Sequence, residues 1–248
     1  MQEGMKIAVV TPYITQDESW LKQCQESVRN QIHPCTHIAV ADGHPHPLFD
    51  GAPNTLHVIL PGANGDFGNT PRALGAMLAD SYGFDAVAFL DDDNWFEPNH
   101  LEAMAAAHIA TRAPLVACRR IFRHLDGTRL DFVESAEDEL QHVDTNCWLI
   151  ARPAFALFAS WRLPKIAAFI GDRIFFQNAV RQRYRIAGVR HRTVNYRTKH
   201  PGHYLKAGLE IPPGAYTIPD LKTKYAALAE PAAIAEIVDA VGFYPRYT

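Results

Sequence analysis

Three carboxylates in a row, Asp91, Asp92 and Asp93, follow the apolar run Ala86-Val87-Ala88-Phe89-Leu90 and precede Asn94. Such a run reads as a short buried strand, so the acids stand at its carboxyl end. In open α/β sheets that end is where ligands bind. Adjacent carboxylates repel one another, and grouping them stabilises little unless a positive partner sits among them. A hard divalent cation carrying phosphate oxygens is such a partner; a solvated acidic turn capping the next helix is the plainer alternative. Other chemistry-bearing residues fall at equivalent places. The first apolar run ends in Thr11-Pro12-Tyr13, the second in Asp42-Gly43, and the helix after the third carries Arg72 in its first turn. A tyrosine ring can stack on a flat base, and Asp42 can accept its N–H donors. Arg72 can pair with phosphate or with a carboxylate of the cluster. Together they would hold a nucleoside diphosphate whose phosphates reach a metal at Asp93.

The elements that must position these residues alternate at short intervals. Lys6 to Thr11 reads as a strand stopped by Pro12, and Ser19 to Gln31 as a helix with Trp20, Leu21, Cys24 and Val28 on one face. Thr36 to Ala41 and Thr55 to Leu60 are strands. Thr70 to about Asp80 is a helix with proline at its first position, Ala86 to Leu90 a strand, and Asn99 to Thr111 a helix. This rhythm predicts a mainly parallel, Rossmann-like sheet with helices on both faces. From Leu115 the pattern turns mixed. It gives strands at 115–122 and 147–151, an Asp126-Gly127 hairpin, a short helix from Pro153 and a helix at 171–183. Two short strands follow at 186–189 and 194–197, then two tail helices near 221–229 and 232–241. The aromatic end Gly242-Phe243-Tyr244-Pro245-Arg246-Tyr247 would suit a docking surface.

Composition bounds the partners. The chain has 248 residues, 48% of them hydrophobic, enough for one large core. A net charge of −3 without a long basic run gives no case for nucleic acid. Cys24, Cys35, Cys118 and Cys147 lack close metal-type spacing and suggest packed, reduced thiols. No segment reaches the ~20 apolar residues that cross a bilayer. The expected location is therefore cytoplasmic, with peripheral membrane association left open.

Leu90-Asp91-Asp92-Asp93-Asn94-Trp95-Phe96-Glu97-Pro98-Asn99-His100-Leu101 resembles the DxD segment of inverting family-2 glycosyltransferases of the GT-A fold. Val9-Val10-Thr11-Pro12-Tyr13 and the helix end Ser27-Val28-Arg29-Asn30-Gln31 resemble that family's opening. Gly171-Asp172-Arg173, with Arg181 and Ile186-Ala187-Gly188-Val189, resembles its acidic catalytic segment and the strand behind it. The resemblance covers roughly residues 5 to 200. It implies a nucleotide-sugar-binding half at 5–118 and an acceptor-binding, catalytic half at 119–205. A helical tail at 206–248 completes one continuous unit.

The resemblance further implies that Thr11, Pro12, Tyr13 and Asp42 hold the nucleoside and that Asp91 contacts the ribose or diphosphate. Asp93 would bind Mn²⁺ or Mg²⁺, with His200 or His203 as a third ligand, while Asp92 fills the variable middle position. Asp172 would deprotonate the acceptor hydroxyl, although a carboxylate at a helix N-terminus also serves as a cap. Pro201-Gly202-His203-Tyr204 reads as a mobile loop closing over the donor, and Asp144-Thr145-Asn146 as lining the acceptor side. Two departures stand out: Gly171 where the family commonly has an acid, and Asn94 where a further Asp is frequent. The expected activity is metal-dependent, inverting transfer of one sugar from a nucleotide-diphosphate sugar to a carbohydrate or other hydroxyl acceptor, UDP ahead of GDP or dTDP. Phosphoryl or nucleotidyl transfer and a catalytically silent nucleotide-sugar binder are the rival readings.

Overall fold

The computed structural model describes residues 4–131, 142–216 and 219–246. Strands β1 (Ile7–Tyr13), β2 (Cys35–Ala41), β3 (Thr55–Ile59), β4 (Ala86–Phe89), β5 (Trp95–Phe96), β6 (Leu115–Arg123), β7 (Trp148–Ala151) and β8 (Ile186–Arg197) form one eight-stranded sheet. Its order is β3-β2-β1-β4-β7-β6-β8-β5. The four N-terminal strands at the β3 side are parallel. β7 enters antiparallel to both β4 and β6, and β8 runs parallel to β6. The fold is therefore α/β with a mixed, mostly parallel sheet, as the alternating pattern predicts.

The parallel strands are apolar throughout because helices cover both faces. Ile7 to Val10, Ile38 to Ala41 and Ala86 to Phe89 are all at or below 1% exposed. Helix α1 (Glu18–Arg29) buries Leu21, Cys24 and Val28, and Asp17 caps it by accepting the Ser19 N–H at 2.9 Å. Helix α2 (Asn69–Ser81) presents Ala73, Ala76 and Ala79 to the sheet. Helix α3 (His100–Thr111) follows β5, and α4 (Gly171–Arg181) packs Phe175 and Ala179 into the main core. Helices α6 (Leu221–Leu228) and α7 (Pro231–Val241) build a second core with Ala167, Ile170 and Ile174.

Several expectations are corrected. Pro12 does not stop β1; the strand continues to Tyr13. Val10 faces β4, as its carbonyl accepts the Leu90 N–H, and Pro12 faces the same side two residues on. The β1–β4 pairing ends at Val10, so the missing proline N–H leaves no ladder bond unmade. Pro71 is the third residue of α2 rather than the first, still within the turn whose N–H groups have no helical partner. The two short strands expected at 186–197 are one strand, bulged where residues 189–191 of β8 lack partners on β6.

Pro201–Lys206, expected as a loop, is a short helix, α5, with Pro201 at its start and the His200 imidazole accepting the Gly202 N–H at 3.1 Å. The Asp126-Gly127 turn closes as read, with the His124 N–H donating to the Thr128 carbonyl. Among the described residues its return arm bridges back at Arg129 with Arg123, and the Leu130 N–H donates to the Phe122 carbonyl. The aromatic end is not displayed: Phe243 is buried in the second core and the Tyr244 hydroxyl donates to the Leu228 carbonyl. Tyr247 lies outside the described residues. Among the described residues no helix is long and apolar enough to cross a membrane.

Candidate active site

The carboxyl ends of β1, β2 and β4 and the start of α2 surround a cavity of about 330 Å³. Pro12, Tyr13, Asp42, Arg72, Asp91, Asp92 and Asp93 all line it, so seven sequence-predicted residues meet in one place. Thr11 does not join them. It is fully buried, and its hydroxyl pairs with His37 Nε2 at 2.8 Å.

The members of the cavity do different work. Arg72 donates from Nη2 to Asp91 Oδ1 at 2.6 Å, and its guanidinium lies 4.9 Å from the Trp161 ring centre. This pairing offsets the poor placement of a cation at a helix N-terminus. Asn146 fixes Asp91 a second time, donating to Oδ2 at 2.9 Å while accepting the Asp91 N–H at 2.5 Å. Asp92 accepts from Gln16 Nε2 at 3.0 Å; burial, and then the charge of Asp93, push its carboxyl up. Asp93 Oδ2 lies 2.8 Å from Lys199 Nζ. Burial raises the Asp93 carboxyl, with Lys199 opposing; burial lowers the Lys199 ammonium, but Asp93 more than compensates.

Two expectations about the base contacts change. Tyr13 does not offer its ring as a stacking platform: it is 3% exposed and packs 4.9 Å from Phe49. Its hydroxyl is held by His57 Nε2 at 2.6 Å and by the His46 N–H at 3.0 Å. Asp42 is already engaged, accepting the Asn64 and Gly65 N–H groups and the Asn64 side-chain amide. It thereby folds the loop 62–66 against the strand ends. Gly43 makes that approach possible, since its φ is +79° and a Cβ would stand 2.4 Å from the Ala63 nitrogen.

A second cavity of about 380 Å³ carries Asp172, Arg173, Arg120, Asp144, His142, His200 and His203. Asp172 lies in the first turn of α4 but is not its cap, a place taken by Ile170. Asp172 Oδ1 accepts the Arg173 N–H at 2.7 Å, and Oδ2 lies 3.4 Å from His142 Nε2. Burial would raise the Asp144 carboxyl, yet Arg120, 2.9 Å away, holds it below the usual range. Asn146 also donates to Asp144 Oδ1 at 2.7 Å. A continuous chain, Arg72–Asp91–Asn146–Asp144–Arg120, therefore ties the two cavities together. Gly171 is explained by the same closeness. A Cβ there would meet Asn69 Oδ1 at 2.7 Å and Trp161 at 3.2 Å, while Asn69 donates to the Ala168 carbonyl at 2.8 Å. The start of α4 presses on the start of α2, leaving no room for the acid that the resemblance leads one to expect.

The expected metal ligands do not assemble. His200 and His203 line the second cavity, Asp93 the first. His203 Nδ1 pairs with Thr198 Oγ1 at 2.6 Å and its ring abuts Phe122. Among the described residues no group of three or more His, Cys, Asp or Glu is arranged to hold a metal ion. Carboxylate oxygens suit Mn²⁺ or Mg²⁺ by type, but those of Asp91 are taken by Arg72 and Asn146, and Asp93 Oδ2 faces the Lys199 ammonium at 2.8 Å, a positive charge standing where a metal ion would approach. As arranged, these residues do not fit a resident divalent cation.

Sequence reasoning missed Lys199, Asn146 as the bridge, Arg120, His142, and two exposed aromatics on the first cavity, Phe67 and Tyr216. Phe67 had one signal available, its place between Asp66 and Gly68 in the loop before α2. Its φ of +59° is a conformation that costs a non-glycine residue ~1–2 kcal/mol.

Comparisons with known proteins agree with this architecture. A comparison with curated proteins finds no match. Among solved structures, S. aureus TarS superposes with a TM-score of 0.59 at 15% identity, over 81% of this chain and 38% of that one. TarS 1-349 in complex with UDP gives 0.58 at 16%, covering 82% and 63%. The complex with UDP-GlcNAc gives 0.57 at 14%, covering 95% and 67%. The chain thus spans about two fifths of the longer TarS chain, and at these identities the likeness establishes a shared GT-A-like fold. The sequence profile of Glycosyl transferase family 2 matches residues 8–185, most of the chain, and the protein belongs to that family.

Proposed function

We propose that this protein transfers a glycosyl group from a UDP-sugar to an acceptor hydroxyl with inversion at the anomeric carbon. The observation that carries the reading is the pair of joined cavities. One has acids and Arg72 at the strand ends, the other has the Asp172 carboxylate beside His142, and the two are linked through Asn146. UDP is favoured because TarS 1-349, a structure of similar fold, is described in complex with UDP and with UDP-GlcNAc.

In this reading the first cavity holds the nucleoside diphosphate, with Phe67 and Tyr216, not Tyr13, offering exposed ring faces to the base. Arg72 and Asn146 hold Asp91 in one orientation towards the ribose and diphosphate. The acceptor enters the second cavity. Asp172 takes its hydroxyl proton as the oxygen attacks, since an alcohol is a poor nucleophile near neutral pH. The bond from the anomeric carbon to the phosphate oxygen breaks on the opposite face, and its electron pair leaves on UDP. The dependence on Mn²⁺ or Mg²⁺ that the resemblance implies is not part of this proposal, because Lys199 stands against Asp93. The silent-binder alternative loses its motive, because Gly171 has a steric cause.

The test is calorimetric titration of UDP, GDP and dTDP, followed by transfer from UDP-sugars over an acceptor panel by wild type and Asp172→Asn. UDP binding by both proteins, with transfer by wild type alone, is expected. Absence of nucleotide binding, or full activity of Asp172→Asn, overturns the proposal.

A further inference from the structure

The acid turn after β4 is built around cations supplied by the chain itself. β5 pairs with β8 at Trp95–Asn195 and Phe96–Val194, so the end of β8 is carried directly over Asp91 to Asp93. Arg197 locks this junction from outside the cavity. Its guanidinium donates to the Asp93 carbonyl at 2.5 Å, to the Leu125 carbonyl at 3.0 Å and to Gln23 Oε1 at 2.8 Å. It also lies 4.4 Å from the Trp20 ring centre and 4.9 Å from that of Trp95. Two residues later Lys199 reaches the inside. Its backbone is held on both sides, by the Thr198 N–H on the Arg123 carbonyl and by the Tyr216 N–H on its own carbonyl at 2.8 Å. Its ammonium stands 2.8 Å from Asp93 Oδ2 and 5.1 Å from the Trp20 ring centre, and the side chain is 27% exposed, at the cavity wall.

We propose that Lys199 is the resident cation of the donor cavity, holding the diphosphate of the bound nucleotide in place of a divalent metal ion. This rests on the nucleotide-sugar reading above. An ammonium carries three N–H groups; Asp93 takes one, and the other two serve phosphate oxygens at the cavity mouth. Lys199 then stabilises the charge that develops on the departing diphosphate from a fixed position, as preorganised donors do. Asp93 is its orienting partner and not a metal ligand. Asp91 is neutralised separately by Arg72, so each of the two flanking acids has its own cation.

The experiment measures UDP affinity in EDTA and in excess Mn²⁺, for wild type and Lys199→Met, with thermal melts of both. Wild type is expected to bind UDP in EDTA, with Mn²⁺ improving affinity by less than about threefold. Lys199→Met is expected to lose about tenfold or more in EDTA, an order consistent with removing one charge-assisted contact. Mn²⁺ should restore much of that loss through the freed Asp93, which also shows that the variant is folded. Wild-type binding that requires Mn²⁺ overturns the inference while leaving the transferase reading intact, as does wild-type-like affinity of Lys199→Met in EDTA. Failure of wild type to bind UDP, GDP or dTDP under either condition overturns both.

Discussion

The two cavities are built by different means. Every wall of the first cavity except the Lys199–Tyr216 side comes from the carboxyl ends of β1, β2 and β4 or from the loop and helix start that follow β3. The second cavity draws on Arg120 of β6, His142 and Asp144 before β7, Asp172 of α4, Tyr196 of β8, His200 and His203 around α5, and Tyr225 of α6. Parallel topology alone brings the first set together, because all carboxyl ends in such a sheet point one way. The second set meets only through antiparallel β7, a bulged β8 and packed helices. The first cavity is thus a property of the sheet, and the second a property of how the later elements fold over it.

The largest expected effect tests that division directly. Asp172→Asn should lower the transfer rate by about 10²- to 10⁴-fold while UDP affinity measured by calorimetry stays near wild type. Equal loss of both would mean that the cavities do not divide the work. Next in size is Arg72→Met, which strands the Asp91 carboxylate beside a neighbouring acid. Breaking a buried pair from one side costs ~3–5 kcal/mol, less here because Asp91 is 32% exposed and keeps Asn146. A lowered urea midpoint together with weakened UDP binding is expected, and an unchanged midpoint would show the pair to be ornamental to the fold.

A third prediction concerns pH and should map to the parallel, N-terminal half of the sheet. Burial holds the His37 imidazole down at about 3, against an ordinary 6.5. Between those values the unfolded chain binds a proton that the folded chain refuses, so stability is full above pH 6.5 and falls as pH drops towards 3. The loss by pH 5 is ~2 kcal/mol, readable as a shift in urea midpoint. His37→Gln should flatten that slope. The smallest effect is Tyr13→Phe. It removes hydroxyl contacts to His57 and His46 worth ~1 kcal/mol of stability, and UDP affinity should move less than about twofold. Phe67→Ala should weaken UDP binding more than Tyr13→Phe does; the reverse order would reinstate Tyr13 as the stacking surface.

Much of the first cavity was legible because many of its residues follow strand ends that apolar runs mark clearly: 7–10, 38–41 and 86–89. What could not be read were orientations. Thr11 and Tyr13 sit on a strand whose side chains alternate between faces, and both turn into packed surroundings, Thr11 on His37 and Tyr13 on Phe49. Pattern alone does not say which face meets the ligand at the strand's last residues. The histidines lie elsewhere for a different reason: Pro201 starts a helix after Arg197, and the turn carries His200 and His203 to the other cavity.

The sequence by itself determined the alternation of elements, the mostly parallel half-sheet and the placing of Asp42, Arg72 and the acid run at one edge. Those depend on local hydrophobic period and on breakers adjacent in the chain. Only the tertiary structure decided which cation answers each acid. Arg72 and Asp91 are 19 residues apart, Asn146 and Asp91 55 apart, and Lys199 reaches Asp93 from beyond the end of the last strand. Such pairings are set by strand order, by the β5–β8 contact and by the register of a bulged strand. These are properties of packing between distant segments and leave no periodic trace in the chain.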